Sequence, residues 1–134
     1  MQAETLSFIN SNYEKNPKRL YQIMKVAGEK LPNNPSQDQL LNMILAIVQS
    51  SDANMKRIYN VINDKDFEVK LLIHEALLAR AISKKDITYY LYTGEKLGDI
   101  NGLISFLSNK ENSLMLTQIN EKIDKFKADH ELKY

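Results

Sequence analysis

The pattern of apolar positions predicts helices over most of the chain. Apolar residues recur at the three- and four-residue spacing that places them on one helix face. Two breaks are well marked: Asn16-Pro17, where the proline suits the first turn of a new helix, and the loop LPNNPS at residues 31–36. The predicted helical segments are residues 3–14, 17–30, 37–50, a short stretch after Ser51-Asp52, 66–82 and 112–130.

The segment at residues 37–50 carries more apolar residues than one helix face holds. Ser36 and Gln39 have the spacing of a capping box, which predicts where this helix begins. A helix that is apolar on nearly every side must be covered on nearly every side. The segment is therefore either the central helix of the fold or partly a contact with another chain. Its apolar residues are Leu40, Leu41, Met43, Ile44, Leu45, Ile47 and Val48.

The stretch ISKKDITYYLYTGEKLG, residues 82–98, departs from the helical pattern. In a strand, Ile87, Tyr89 and Leu91 would lie on one face and the residues between them on the other. In a helix, Ile87, Tyr90 and Leu91 would share one face. The residue types favour a strand, with residues 81–83 as its partner across KKD, although no Asn-Gly or Asp-Gly marks the turn. The tyrosines would then either face a partner or fill the edge of the core with their hydroxyls in water.

Together these patterns predict a mainly α fold: a compact multi-helix domain with at most one small β-hairpin near residues 81–93. A chain of 134 residues is the size of one domain, so we expect a single helical domain over residues 1–134. Hydrophobic residues make up 43% of the chain, which is enough for a core. The absence of cysteine excludes disulfides, thiolate metal sites and thiol nucleophiles.

Charge and hydropathy argue against several classes of function. Lysine and arginine total 18 against 17 acidic residues, whereas a protein that binds duplex nucleic acid usually carries a basic excess. The opening MQAETLSFINSNYEK has neither the basic head nor the apolar run of a signal peptide. The longest apolar block, LLNMILAIV at residues 40–48, is too short to span a bilayer. We therefore expect no secretion by signal peptide and no membrane partner.

No motif for catalysis, a cofactor or a metal stands out. Asp64, Asp66, Glu68 and Glu75 match acidic positions of a calcium loop, but Val69 occupies the position that needs glycine. We interpret these acids as residues that favour a helix N-terminus. The glycines of GEKLGDING fit neither phosphate-binding pattern and indicate a turn-rich connector. The sequence predicts a protein that is not an enzyme and has no cofactor.

A basic and aromatic cluster near the N-terminus suggests a different function class. Single-stranded nucleic acid is bound by basic grooves with aromatic platforms, and Tyr13 and Tyr21 lie among cations here. The alternative interpretation is an ordinary solvated helix face. The candidate nucleic-acid-binding residues are Lys15, Lys18, Arg19, Lys25, Lys56 and Arg57.

The C-terminal half, AISKKDITYYLYTGEKLGDINGLISFLSNKENSLMLTQINEKI, resembles small proteins encoded in tailed-phage genomes. In those an aromatic stretch, a glycine turn and a short FL helix precede a polar asparagine and a closing helix. The resemblance implies a virion component or an accessory factor, present in the host cytoplasm or in the virion. It carries no catalytic or metal motif.

The preferred function is therefore a non-catalytic protein–protein interaction or assembly subunit, as in a phage virion structural protein. Its partners would be other protein subunits, with nucleic acid as the alternative. We expect contacts through the apolar segment at residues 37–50, the tyrosine stretch and the C-terminal tail. The candidate partner-binding residues are Tyr89, Tyr90, Tyr92, Leu132 and Tyr134.

Overall fold

Seven α-helices, one short 3₁₀ turn and one three-stranded sheet make up the structure, a computed structural model that describes residues 1–134. Helix accounts for 67% of the chain, which confirms the mainly α prediction. The helices are α1 (Gln2–Lys15), α2 (Pro17–Val26), α3 (Gln37–Ser50), α4 (Asp52–Ile62), α5 (Phe67–Leu78), α6 (Ile100–Ser108) and α7 (Ser113–Asp129). The strands are β1 (Ile82–Lys85), β2 (Thr88–Leu91) and β3 (Lys96–Gly98).

The helix starts follow the sequence signals. Ser36 Oγ accepts a hydrogen bond from the Gln39 amide at 3.1 Å, and Gln39 Oε1 accepts one from the Ser36 amide at 2.7 Å, so the predicted capping box is confirmed. Pro17 occupies the first turn of α2, as predicted. Asp99 caps α6 by accepting a hydrogen bond from the Gly102 amide at 2.9 Å.

Two helices end earlier than the apolar pattern predicts. α2 stops at Val26 instead of residue 30, and α5 stops at Leu78 instead of residue 82. In both cases a residue in the left-handed conformation follows, Gly28 at φ +87° and Arg80 at φ +59°. A left-handed residue after the last turn reverses the chain and ends the helix.

The sheet contains the predicted hairpin and one strand more. β1 and β2 pair antiparallel, and β3 joins the other side of β2, so the strand order is β1-β2-β3. The sequence predicted only a turn-rich connector where β3 lies, because three residues ending in glycine give little strand signal. A shift in register between Tyr89 and Tyr90 marks the irregular pairing with this short strand.

The chain divides into two compact units: residues 1–67 together with Lys133 and Tyr134, and residues 68–132. The single domain over residues 1–134 stays a prediction. No helix in the structure combines the length and the apolar character needed to cross a membrane.

The first unit is a four-helix arrangement in which α3 contacts α1, α2 and α4. Leu40, Ile44 and Val48 of α3 are buried, and the apolar residues that flank this row on both sides are half-buried. α3 is therefore the central helix of its unit, one of the two alternatives that the sequence left open. The fully buried large apolar residues here are Ile9, Leu20, Ile23, Met24, Leu40, Ile44 and Ile58.

The second unit packs the sheet with helices around a separate core. Strand residues Ile82 and Leu91 are 1% exposed and lie in one cluster with residues of α5, α6 and α7. Removing such side chains from water provides about 2 kcal/mol each, the main stabilisation available to so small a sheet. The buried members of the cluster are Ile73, Ala76, Ala81, Ile82, Tyr89, Leu91, Leu103, Leu107, Ile119 and Ile123.

Candidate protein-interaction surface

The candidate surface is built on the hairpin of β1 and β2. Lys85 pairs with Thr88, so the two-residue turn Asp86-Ile87 joins the two strands. The predicted turn at KKD, residues 84–86, with Ile87 in the strand is wrong, because Lys84 and Lys85 pair with β2 as part of β1. Asp86 has φ +56°, a left-handed conformation that aspartate tolerates better than most residues. Asp86 thus supplies a positive φ at the first position of the two-residue turn, and the hairpin forms without a glycine.

The pleat of β2 separates its two tyrosines. Tyr89 is 6% exposed and lies in the core with Leu91, whereas Tyr90 points to the opposite face and is half-buried. Tyr90 lies between Ser83 of β1 and Lys96 of β3. Of the predicted tyrosine surface, Tyr89 therefore belongs to the core and Tyr90 faces outward.

β1 is an edge strand, and its free side carries unpaired backbone groups. The Tyr92 amide donates to the Ala81 carbonyl at 3.0 Å, which sets the alternation of hydrogen-bonded pairs along the hairpin. Ser83 and Lys85 then bond to β2, while the amides and carbonyls of Ile82 and Lys84 point away from it. Such an edge can pair with another strand.

A cleft of about 710 Å³ opens where the end of α5 meets the hairpin. It is lined by apolar, hydroxyl and cationic side chains, and by no carboxylate. We call the free side of β1 together with this cleft the edge surface. Its principal residues are Leu77, Arg80, Ser83, Lys84, Tyr90 and Tyr92.

Tyr92 follows β2 and is held on α7 while its ring remains partly exposed. Its hydroxyl donates a hydrogen bond to Gln118 Oε1 at 3.0 Å, and the Lys122 ammonium lies 4.3 Å from the ring centroid. The side chain is 40% exposed. A ring that is fixed at both its edge and its face loses little conformational entropy when a partner covers it.

The C-terminal tail is engaged within the chain. Tyr134 is 8% exposed, and its ring stacks on Tyr21 with centroids 5.0 Å apart. The Tyr134 hydroxyl donates to the Pro35 carbonyl at 3.3 Å, and the Lys133 amide donates to Asn34 Oδ1 at 2.6 Å. Leu132 is half-buried after the end of α7. Of these two predicted contact residues, Tyr134 has little area left for a partner.

The arginines of the N-terminal cluster make contacts inside the first unit. Arg57 donates to the Ala27 carbonyl at 2.7 Å and forms an ion pair with Glu29 at 2.5 Å. The Arg19 guanidinium lies 4.5 Å from the centroid of the Phe67 ring. Both side chains therefore stabilise helix packing and are less available to a phosphate.

The aromatic residues of that cluster also make contacts inside the first unit. Tyr21 is buried against Tyr134, with the Lys25 ammonium 5.1 Å from its centroid. Tyr13 donates a hydrogen bond to Asp38. The exposed members of the candidate set are Lys15, Lys18 and Lys56. The structure thus leaves three exposed cations here, while the ring of Tyr21 is covered by Tyr134 and is not available for stacking.

The acidic residues near α5 have structural partners. Asp64 Oδ1 accepts from the Asp66 amide at 2.8 Å in the turn before the helix. Glu75 forms an ion pair with Lys127. No group of three or more histidine, aspartate or glutamate side chains is arranged to hold a metal ion.

Sequence reasoning missed Arg80 and Lys84 as neighbours of the tyrosines. The residue pattern placed Arg80 in the last turn of a helix and Lys84 in a polar turn. The only signal was the lysine pair of ISKK, because lysines are frequent on edge strands. That both line one cleft with Tyr92 follows from the reversal of the chain at Arg80.

Comparison with known proteins gives no relative, since no family model matches the chain and no curated protein or solved structure is similar to it.

Proposed function

We propose that this chain is a non-catalytic protein–protein interaction subunit of a larger assembly, and that it contacts its partner through the edge surface. The observation that carries the proposal is the unpaired side of β1 beside an open cleft with a partly exposed tyrosine. Backbone donors and acceptors provide affinity for an extended segment, and neighbouring side-chain pockets provide specificity.

Several features of the edge surface suit a protein partner. Tyrosine is enriched at the energetically dominant positions of interfaces, and Tyr90 and Tyr92 both line the cleft. Leu78, which follows the cleft residue Leu77, is 52% exposed. Apolar and aromatic groups beside cations are typical of the core and rim of an interface.

The resemblance of the C-terminal half to small tailed-phage proteins supports a more specific proposal. The assembly would be a phage particle, or a complex that forms while the particle is built. The resembling stretch begins at Ala81 and so includes β1, β2 and most of the edge surface. The apolar residues of α3 give less support to assembly, because they are buried or half-buried within their own unit.

Nucleic-acid binding through the N-terminal cluster has less support. Its two arginines pack inside the first unit, and Tyr21 is already covered on its ring faces. Binding through the remaining Lys15, Lys18 and Lys56 would consist almost entirely of phosphate neutralisation. Such binding weakens steeply as salt concentration rises.

Lysine cross-linking with mass spectrometry on the native particle or cell extract tests the proposal, because both candidate surfaces carry lysines. We expect Lys84, Lys85 and Lys96 to cross-link to one defined protein, and purified partner to reproduce these links at high salt. A Tyr92→Ser variant should lose them, while Leu114→Ser, which changes another exposed apolar residue, should keep them. Intermolecular links from Lys15, Lys18 and Lys56 alone, or recovery with nucleic acid alone, would contradict the proposal.

A further inference from the structure

The geometry of the edge surface points to the chemistry of its partner. Building on the proposed function, we propose that the partner contributes an extended acidic segment that pairs with β1 as a fourth strand. The segment would place its backbone against Ile82 and Lys84 and its carboxylates near Arg80 and Lys84. Three independent features of the second unit support this choice.

The first feature is the length and phase of the free edge. The outward amides and carbonyls of Ile82 and Lys84 are two residues apart, which is the repeat at which a neighbouring strand bonds. The sheet ends at β1, and the side chains of Ser83, Lys84 and Lys85 are exposed. No strand of the sheet therefore occupies that side of β1.

The second feature is the sign of the charge. The cleft contains Arg80 and Lys84 and no carboxylate. A second cleft of about 270 Å³, which shares Lys84 and Leu77, includes Lys70 and also lacks a carboxylate. Between residues 80 and 96 four cations stand against two carboxylates, Asp86 in the hairpin turn and Glu95 beside Gly94. Complementary charge would steer an acidic segment to this edge and set its register.

The third feature argues against a second copy of this chain as the occupant. If two β1 strands paired edge to edge through Ile82 and Lys84, the cations Arg80, Lys84 and Lys85 of one copy would lie close to the same cations of the other copy. Like charges held close together repel each other and destabilise the pair. The same lysines that disfavour self-pairing favour a strand with glutamate or aspartate at alternate positions.

Tyr92 gives the added strand an apolar contact at one end. Its ring lines this cleft and also a neighbouring depression formed with α7 residues, including Gln118 and Lys122. An apolar residue between the acidic positions of the partner would pack on the exposed part of the ring. The expected ligand therefore alternates acidic and apolar residues.

The test uses the full chain and a labelled, end-blocked peptide of alternating glutamate and valine, about nine residues long. Fluorescence anisotropy measures binding, and amide hydrogen exchange reports on the backbone. We expect saturable binding, with slower exchange of the Ile82 and Lys84 amides in the complex. A peptide with lysine in place of glutamate, and one N-methylated at every residue, should each bind at least about tenfold more weakly.

Variants of the protein provide a second readout. Arg80→Glu with Lys84→Glu should weaken binding of the glutamate peptide about tenfold and favour the lysine peptide. Lys15→Glu with Lys18→Glu makes the same charge change outside the edge surface and should leave the affinity unchanged. Equal binding of the N-methylated peptide, or no protection of Ile82 and Lys84, would overturn strand addition.

The cross-linking experiment keeps the two proposals separate. If Lys84 and Lys85 cross-link to a protein partner but the glutamate peptide does not bind, the edge surface is an interface and the acidic-strand inference is wrong. If the peptide binds as expected but no partner is cross-linked at these lysines in the native material, the acidic-strand inference is supported and the proposed assembly function is wrong.

Discussion

At the scale of single residues, side chains that suggested function are largely used for packing. Arg57 ties the end of α2 to α4 by bonding the Ala27 carbonyl and Glu29. Tyr21 stacks on Tyr134, and Tyr89 lies in the core of the second unit. Arginine and tyrosine serve both packing and binding because each combines an apolar body with a polar end. Only their surroundings decide between the two uses.

Tyr13 provides a test at this scale. The Asp38 carboxylate accepts the hydrogen bond of the phenol and raises the pKa of Tyr13 above its ordinary value of 10.0. Because the folded-state pKa is raised, the hydrogen bond contributes to stability fully below pH 10 and is lost as pH rises through the folded-state pKa. Asp38→Asn should lower the pKa of Tyr13 in an NMR titration of the ring.

Asp124→Asn on α7 is the matched control for this titration, because it removes a carboxylate from the other unit. We expect the Tyr13 titration to be the same in this variant as in the wild type. An unchanged Tyr13 pKa in Asp38→Asn would show that the hydrogen bond is absent in solution.

At the scale of elements, the same backbone motif ends α2, α5 and α7. In each helix the second residue past the cap bonds back five positions, as in Leu132 N–H to the Lys127 carbonyl at 2.8 Å. The residue before it is left-handed: Gly28, Arg80 and Glu131. Only α2 uses glycine, the residue that adopts this conformation without a steric cost. α5 and α7 therefore end without the sequence signal that usually marks such an end.

Substitutions at these positions should change stability in opposite directions. Gly28→Ala should lower the free energy of unfolding by about 1 kcal/mol because the new Cβ is strained at φ +87°. No neighbouring atom lies within 4 Å of that Cβ, so the backbone alone is tested. Glu131→Gly should be more stable than Glu131→Ala by about 1 kcal/mol, as measured by urea unfolding. Equal stabilities of the two Glu131 variants would contradict the motif at the end of α7.

At the scale of the whole molecule, the first unit is discontinuous in sequence. It contains residues 1–67 and also the last two residues of the chain. Lys133 and Tyr134 contact Asn34, Pro35 and Tyr21, about a hundred positions away in sequence. The end of the chain therefore contributes to the unit in which the chain begins.

Loss of the Tyr134 ring should destabilise that unit selectively. Tyr134→Ala removes a buried ring and its stack on Tyr21, at a cost of about 2 kcal/mol, whereas Tyr134→Phe loses only a hydrogen bond, at about 1 kcal/mol or less. Hydrogen exchange should become faster in α2 and α3 and stay unchanged in the sheet. Equal acceleration in residues 68–132 would show that the two units do not respond separately.

The sequence by itself determined most of the secondary structure. Apolar spacing located the helices other than α6, Ser36 and Gln39 marked the start of α3, and β-branched and aromatic residues indicated the hairpin. These features are local: they depend on the three- and four-residue repeat of a helix, the two-residue repeat of a strand and the hydrogen bonds of a cap. They can be predicted without knowing which elements pack against each other.

Tertiary structure alone decided which side chains and which strand edge remain at the surface. The sequence could not show that β3 pairs with β2 and leaves β1 at the edge, or that Tyr134 turns inward to Tyr21 while Tyr92 stays partly exposed. Burial of a ring and pairing of a strand depend on contacts between residues distant in sequence. The free energy of each such contact depends on which groups lose water together, and a pattern along one chain does not contain that information.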